Sequence, residues 1–129
     1  SLSFTVIAGS SSHVGFVDGA LSQLRFYHPE EVAFLSPHKL LIADYSNYRL
    51  RVLDLITSTS SSICSGVGGH LDGDLASCQL NQPWSLLTVS EVIFVGDYRH
   101  IRAIQGKYHH TPPGFAKYKK CCHSDPVFG

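Results

Sequence analysis

The stretch Asp18–Arg51 reads DGALSQLRFYHPEEVAFLSPHKLLIADYSNYRLR, and much of it returns farther along the chain. Asp18-Gly19 comes back as Asp72-Gly73 and Pro29 as Pro83, each 54 residues later. A repeat of this length marks supersecondary units that bury their apolar faces only by stacking on one another.

Inside the stretch the pattern is one of short strands. Pro29 opens the first, Glu31–Leu35, without having to donate a ladder hydrogen bond. Leu40–Asp44 predicts the second, an apolar run suited to burial on both faces, and Arg49–Leu55 the third. Ser36–Lys39 and Tyr45–Tyr48 read as turns, with Asn47 the residue expected in the left-handed region. In the third strand Leu50, Val52 and Asp54 share one face, and Arg49, Arg51, Leu53 and Leu55 the other. Ser/Thr-rich Thr57–Cys64 follows as a fourth strand, polar as an outermost strand would be.

Working outward, Phe4–Ala8 is β-branched and aromatic and predicts a short strand ended by Gly9. Leu24 and Phe26 alternate with polar neighbours and point towards the core. In the second copy, Cys78 stands where Leu24 stood and Leu80 where Phe26 stood. Pro83 opens the next unit, with strands expected at Trp84–Val89, Val92–Asp97 and His100–Ile104. Ile101-Arg102-Ala103-Ile104 matches Leu50-Arg51-Val52-Leu53, but the hairpin is two residues shorter, so Asn47 has no counterpart. After Gly106 the repeat stops, and residues 107–129 read as a basic, Cys-containing tail or a divergent last strand.

Hydrophobic residues make up 43 % of the 129 and charged ones 16 %, a globular balance rather than a disordered one. The absence of Met suggests a processed chain or an excerpt. No apolar run approaches the roughly 20 residues of a membrane helix, so no membrane span is expected. The zero net charge hides an asymmetry. Residues 1–98 carry four basic residues against nine acidic, and residues 99–129 six basic against Asp125 alone. Four cysteines (Cys64, Cys78, Cys121 and Cys122) lack any C-x-x-C spacing. They favour disulfides and an extracellular or secretory setting over reduced, buried thiols in the cytoplasm.

Taken together, Asp18-Gly19, Leu24, Phe26, Pro29, Val32-Ala33-Phe34, Leu41-Ile42-Ala43-Asp44, Asn47 and Leu50-Arg51 resemble the NHL repeat, a β-propeller blade. The second copy supplies Asp72-Gly73, Cys78, Leu80, Pro83, Val95-Gly96-Asp97 and Ile101-Arg102. The resemblance implies an all-β fold of four-stranded antiparallel blades, a first at 10–66 and a second at 67–106. Residues 1–9 would then be an outer strand of a preceding blade. About 4 to 8 blades are needed to close a ring, so the ring is incomplete in this chain. Another chain or the rest of a parent chain would complete it. A protein–protein interaction scaffold is the implied function, with a metal-dependent lyase or lactonase-like enzyme and an RNA-binding domain as alternatives.

The repeated side chains read as blade fasteners. Asp44 and Asp97 end equivalent strands and are expected to cap the hairpin backbone. Arg51 and Arg102 are expected to pair with a neighbouring blade's carboxylate or carbonyl. Cys64 and Cys78 flank one interblade turn and form the disulfide expected if the chain is secreted; otherwise Cys78 is a small core residue in Leu24's place. The equivalent hairpins mark Tyr45, Tyr48 and Arg49, and Tyr98, Arg99 and His100, as partner-contact residues. No nucleophile elbow, H-E-x-x-H, P-loop or readable carboxylate pair is present, so no catalytic residue, metal or cofactor is assigned. His109-His110 and Cys121-Cys122-His123 fit no standard zinc spacing. Lys117-Tyr118-Lys119-Lys120 is a short basic run, and the acidic balance of the blades argues against nucleic acid as partner.

Overall fold

A computed structural model describes residues 1–105; the cysteines, histidines and lysines singled out in 107–129 lie outside them. The chain order is β1 (Gly19–Ala20), β2 (Pro29–Ser36), β3 (Lys39–Asp44), β4 (Arg49–Asp54), β5 (Thr59–Ile63), β6 (Pro83–Val89), β7 (Val92–Asp97) and β8 (His100–Gln105). The fold is all-β, built of two antiparallel sheets in the manner of a partial β-propeller. The first sheet runs β1-β5-β4-β3-β2 and the second β6-β7-β8.

The strands follow the chemistry of the repeat. Pro29 and Pro83 each open an inner strand and pair across to Asp44 and Asp97. The apolar run of β3 is buried on both faces, with Leu41 and Ala43 in one cluster and Ile42 in another. The main core lies between the sheets: Leu41, Ala43, Leu50, Ile63, Cys64, Cys78, Leu80, Ile93 and Val95, flanked by Val52, Leu86 and Ile104. A smaller cluster of Leu21, Leu24, Ile42 and Leu53 lies on the first sheet's opposite face, under the connection that carries Ala8 and Phe26. Thr88 Oγ1 donates to the Phe34 carbonyl across the sheet-to-sheet junction at 2.6 Å.

Three local expectations are corrected. Phe4–Ala8 forms no strand: among the described residues nothing pairs with it, and extended backbone without a ladder partner stays solvated. The left-handed residue of the first hairpin is Tyr48 (φ 55°, ψ 38°), not Asn47, and Tyr98 (φ 54°) takes the same role in the shorter hairpin. Asn47 is held by its side chain instead. Its Nδ2 donates to the Gly15 carbonyl at 2.7 Å and to Asp44 Oδ2 at 2.8 Å. Finally, β5 is not the outer edge of its sheet, because the two-residue β1 pairs along its far side.

Candidate functional site

Two arginine-centred nodes organise the geometry, one per repeat. Arg51 projects from β4 and is fully buried. Its Nη1 donates to the Arg25 carbonyl at 2.7 Å and to Asp44 Oδ2 at 2.8 Å. Its Nη2 donates to the Val17 carbonyl at 2.6 Å and to Asp18 Oδ1 at 2.8 Å, and its Nε also reaches Asp18. The planar five-donor fork of arginine can meet two carboxylates and two carbonyls at once; a lysine cannot. Arg102 repeats the node with the Gln79 and Leu71 carbonyls, Asp97 and Asp72. Gln79, Leu71 and Asp72 stand 54 residues after Arg25, Val17 and Asp18.

The partners of each arginine thus belong to its own repeat and its incoming connection, not to a neighbouring blade. Asp44 and Asp97 likewise reach the incoming chain rather than their own hairpin backbone. Asp44 Oδ1 accepts the Tyr27 N–H, and Asp97 Oδ1 accepts the N–H groups of Asn81 and Gln82, all at 2.8 Å. Each aspartate therefore holds the residues just ahead of the proline that opens the inner strand of its own sheet.

The nodes differ at Asp18 and Asp72. Asp18 also accepts hydroxyl hydrogen bonds from Ser60 and Ser62 of β5. Burial by itself would push its carboxyl up. The hydrogen bonds from Ser62, Arg51 and Ser60 outweigh that and hold it below the usual carboxylate range. Among the described residues Asp72 receives Arg102 alone, and its side chain is 93 % exposed against 25 % for Asp18.

Arg49 turns inward. Its guanidinium carbon lies 3.6 Å from the Phe16 ring centre, and its Nη2 donates to the Ser65 carbonyl at 2.9 Å. Burial, then the Arg51 charge, lowers its pKa. The neighbouring Gly66 sits at positive φ (81°), which favours glycine, and a Cβ there would have to displace the Arg49 guanidinium. Cys64 and Cys78 form a disulfide with Cα atoms 4.5 Å apart, and it ties the end of β5 to the connection entering the second sheet.

At the hairpin end, Tyr45 of the first sheet's hairpin and Tyr98 of the second's face one cleft. With Gln82 and Trp84 they line an open cleft of about 220 Å³. Trp84 and Tyr98 are 58 % and 47 % exposed. His70 lies beside Tyr98 and 4.5 Å from His100, and Arg99 sits 5.0 Å over the Tyr98 ring. Of the six hairpin residues, Tyr45 and Tyr98 face the cleft, Arg99 and His100 border it, Tyr48 packs on Gly68, and Arg49 is turned away. Trp84, Gln82 and His70 were missed from sequence. The available signal was an aromatic directly after Pro83, where the first repeat has Glu30 after Pro29. Among the described residues no group of three His, Cys, Asp or Glu is placed to hold a metal. None of the helices among them is long and apolar enough to cross a membrane.

No protein-family model matches the chain, and no curated protein does. Solved structures do. An auxiliary nutrient binding protein from Bacteroides ovatus superposes with a TM-score of 0.64 at 22 % identity, over 70 % of this chain and 25 % of its own. A structural genomics protein of unknown function from Bacteroides thetaiotaomicron gives 0.65 at 20 % identity, over 70 % and 24 %. An auxiliary nutrient binding protein from the same organism gives 0.67 at 21 %, over 77 % and 28 %. These likenesses establish the fold. The chain spans about a quarter of the length of each.

Proposed function

We propose that this chain is two blades of an NHL-type β-propeller acting as a non-catalytic binding scaffold in an extracellular or secretory setting. The cleft of Tyr45, Gln82, Trp84 and Tyr98 is its contact site for a protein partner. The observation that carries this reading is the exposed pair of aromatics at the mouth of a cleft built by both blades. Large aromatics with one apolar face and one polar handle are the side chains that anchor interfaces. The buried charges Asp44, Arg51 and Asp97 are all engaged in the two nodes, which suits a supporting role rather than a reactive one. The Cys64–Cys78 bridge supports an oxidising compartment. Two NHL-type properties also support the blade assignment, namely the repeated Asp–Arg node and the Pro-opened inner strands.

Trp84 is the only tryptophan in the chain, so its emission reports on the cleft directly. Extracellular protein fractions captured on the chain are to be titrated back while Trp84 fluorescence is followed. Saturable change in emission, lost together with binding in Tyr98→Ala, is the expected result. A partner that binds without moving the Trp84 signal and is indifferent to Tyr98→Ala overturns the assignment of the cleft.

A further inference from the structure

We propose that the cleft of Tyr45, Gln82, Trp84 and Tyr98 takes a proline-rich segment of the protein partner in its extended polyproline form, with an acidic residue at the Arg99 side. The proposal rests on the cleft reading above and names the chemistry of the occupant.

Backbone bonds set the cleft in place. Asp97 Oδ1 accepts the Gln82 N–H at 2.8 Å, and the Gln82 carbonyl accepts the Tyr98 N–H at 3.2 Å. On the first sheet the His28 carbonyl accepts the Tyr45 N–H at 3.2 Å, and the Tyr27 carbonyl accepts the Ser46 N–H at 2.9 Å. Both hairpins are thus tied to the chain that leads into their inner strands. The indole has a seat of its own. Trp84 falls at the register shift between Pro83 and Ser85, beside Gly96, where the first copy has Ala43. A Cβ on Gly96 would come 3.1 Å from Trp84 Nε1, so the bare backbone there lets the ring lie close to β7. Rings held in advance lower the ordering cost of binding.

Polarity selects the occupant. The Trp84 indole only donates hydrogen bonds, and the Gln82 amide and the Tyr45 and Tyr98 hydroxyls donate as well. No carboxylate is among the residues that line the cleft. Asp97, next to Tyr98 in the chain, is fully buried, with Oδ1 held by Asn81 and Gln82 and Oδ2 by Arg102. A bound cation would find no counter-charge here, and Arg99 already lies 5.0 Å over the Tyr98 ring. Polyproline is the converse case. Each proline carries a carbonyl and no N–H, and the helix makes no internal hydrogen bonds, so its carbonyls are turned out to donors. Its rings present flat apolar faces to aromatic side chains, and the chain is extended before it binds. An ordinary peptide would instead bring N–H groups to a lining poor in acceptors. The border then sets the charge of the flank. Arg99 and the imidazoles of His70 and His100, whose ring centres lie 4.5 Å apart, favour a carboxylate beside the prolines.

Trp84 emission of the 129-residue chain gives the test. The probe is a synthetic peptide of about eight prolines with a glutamate at each end; in its control the prolines are replaced by alanine. A saturable change with the proline probe, at least about tenfold tighter than with the alanine control, is expected. Tyr45→Ala should weaken the proline probe about tenfold or more, with its thermal melt showing the fold retained. Arg99→Gln should weaken it about two- to fivefold and abolish the preference for glutamate over glutamine at the probe's ends. No saturation with the proline probe at millimolar concentration overturns the proposal, as does equal binding of the alanine control. Tighter binding of tetramethylammonium or of a glucose oligosaccharide than of the proline probe also overturns it. A captured partner that needs Tyr98, while the proline probe leaves Trp84 unmoved, refutes this inference and leaves the cleft reading standing. A captured partner indifferent to Tyr98 refutes the cleft reading and this inference with it.

Discussion

Replacing Arg51 by leucine is the sharpest test of how the first blade is held together. The guanidinium is fully buried and makes five hydrogen bonds, to Asp18 twice, Asp44, Val17 and Arg25. Leucine fills much of the volume but leaves the fully buried Asp44 carboxylate without its cation and two carbonyls without a donor. Breaking a buried pair by removing one partner costs about 3 to 5 kcal/mol. Asp44 keeps the Tyr27 N–H and the Asn47 amide, which places the expectation near the middle of that range, at about 4 kcal/mol. With a urea m-value of about 1.5 kcal/mol/M this lowers the midpoint by roughly 2.7 M at unchanged m. Arg102→Leu is the internal comparison. Its partner Asp72 is almost fully solvated, so that pair adds little. Asp97 retains the two backbone donors of Asn81 and Gln82. Its loss should be smaller by at least about 1 kcal/mol. Arg51→Lys should recover less than half of the deficit, because one ammonium cannot serve both carboxylates. Urea denaturation of the three variants decides it. Equal losses for Arg51→Leu and Arg102→Leu, or near-wild-type stability of Arg51→Lys, would refute the node as described.

The carboxyl of Asp18 is held below its ordinary value of 3.8, so the unfolded chain takes up that proton first as pH falls. Its contribution to stability is present in full above that range and is lost as pH drops through the folded value. Asp18→Asn should flatten the decline of the urea midpoint between pH 5 and 3 by a measurable part, about those limits being set by the ordinary carboxylate range. Reduction of the Cys64–Cys78 bridge, or the Cys64→Ser/Cys78→Ser pair, should cost about 2 to 4 kcal/mol for a loop of this size, read by thermal melts with and without reductant. Asn47→Ala removes two hydrogen bonds that tie the hairpin to Gly15 and Asp44 and should cost about 1 to 2 kcal/mol by urea denaturation. Asn47→Asp should cost no less, since it places a second carboxylate beside Asp44.

What the residues determine by themselves is the architecture of one repeat. Period-two alternation and turn chemistry are local properties. They placed β3 and β7 at Lys39–Asp44 and Val92–Asp97, within a residue of the reading from sequence. The 54-residue spacing returns Val17, Asp18 and Arg25 as Leu71, Asp72 and Gln79, while the aspartate and the arginine they serve recur after 53 and 51 residues because the second copy is shortened. Three things needed the tertiary structure. Which residue of the hairpin goes left-handed depended on where the Asn47 amide found its acceptors, and those lie 32 residues upstream and three residues before it. Whether Phe4–Ala8 is a strand depended on a partner edge that no local pattern supplies. The cleft could not be read at all, since Tyr45 and Tyr98 are 53 residues apart and Trp84 looks like any apolar strand residue until the two sheets stack. Local rules set what each segment becomes; only the packing of one repeat on the next decides which side chains are left facing outward.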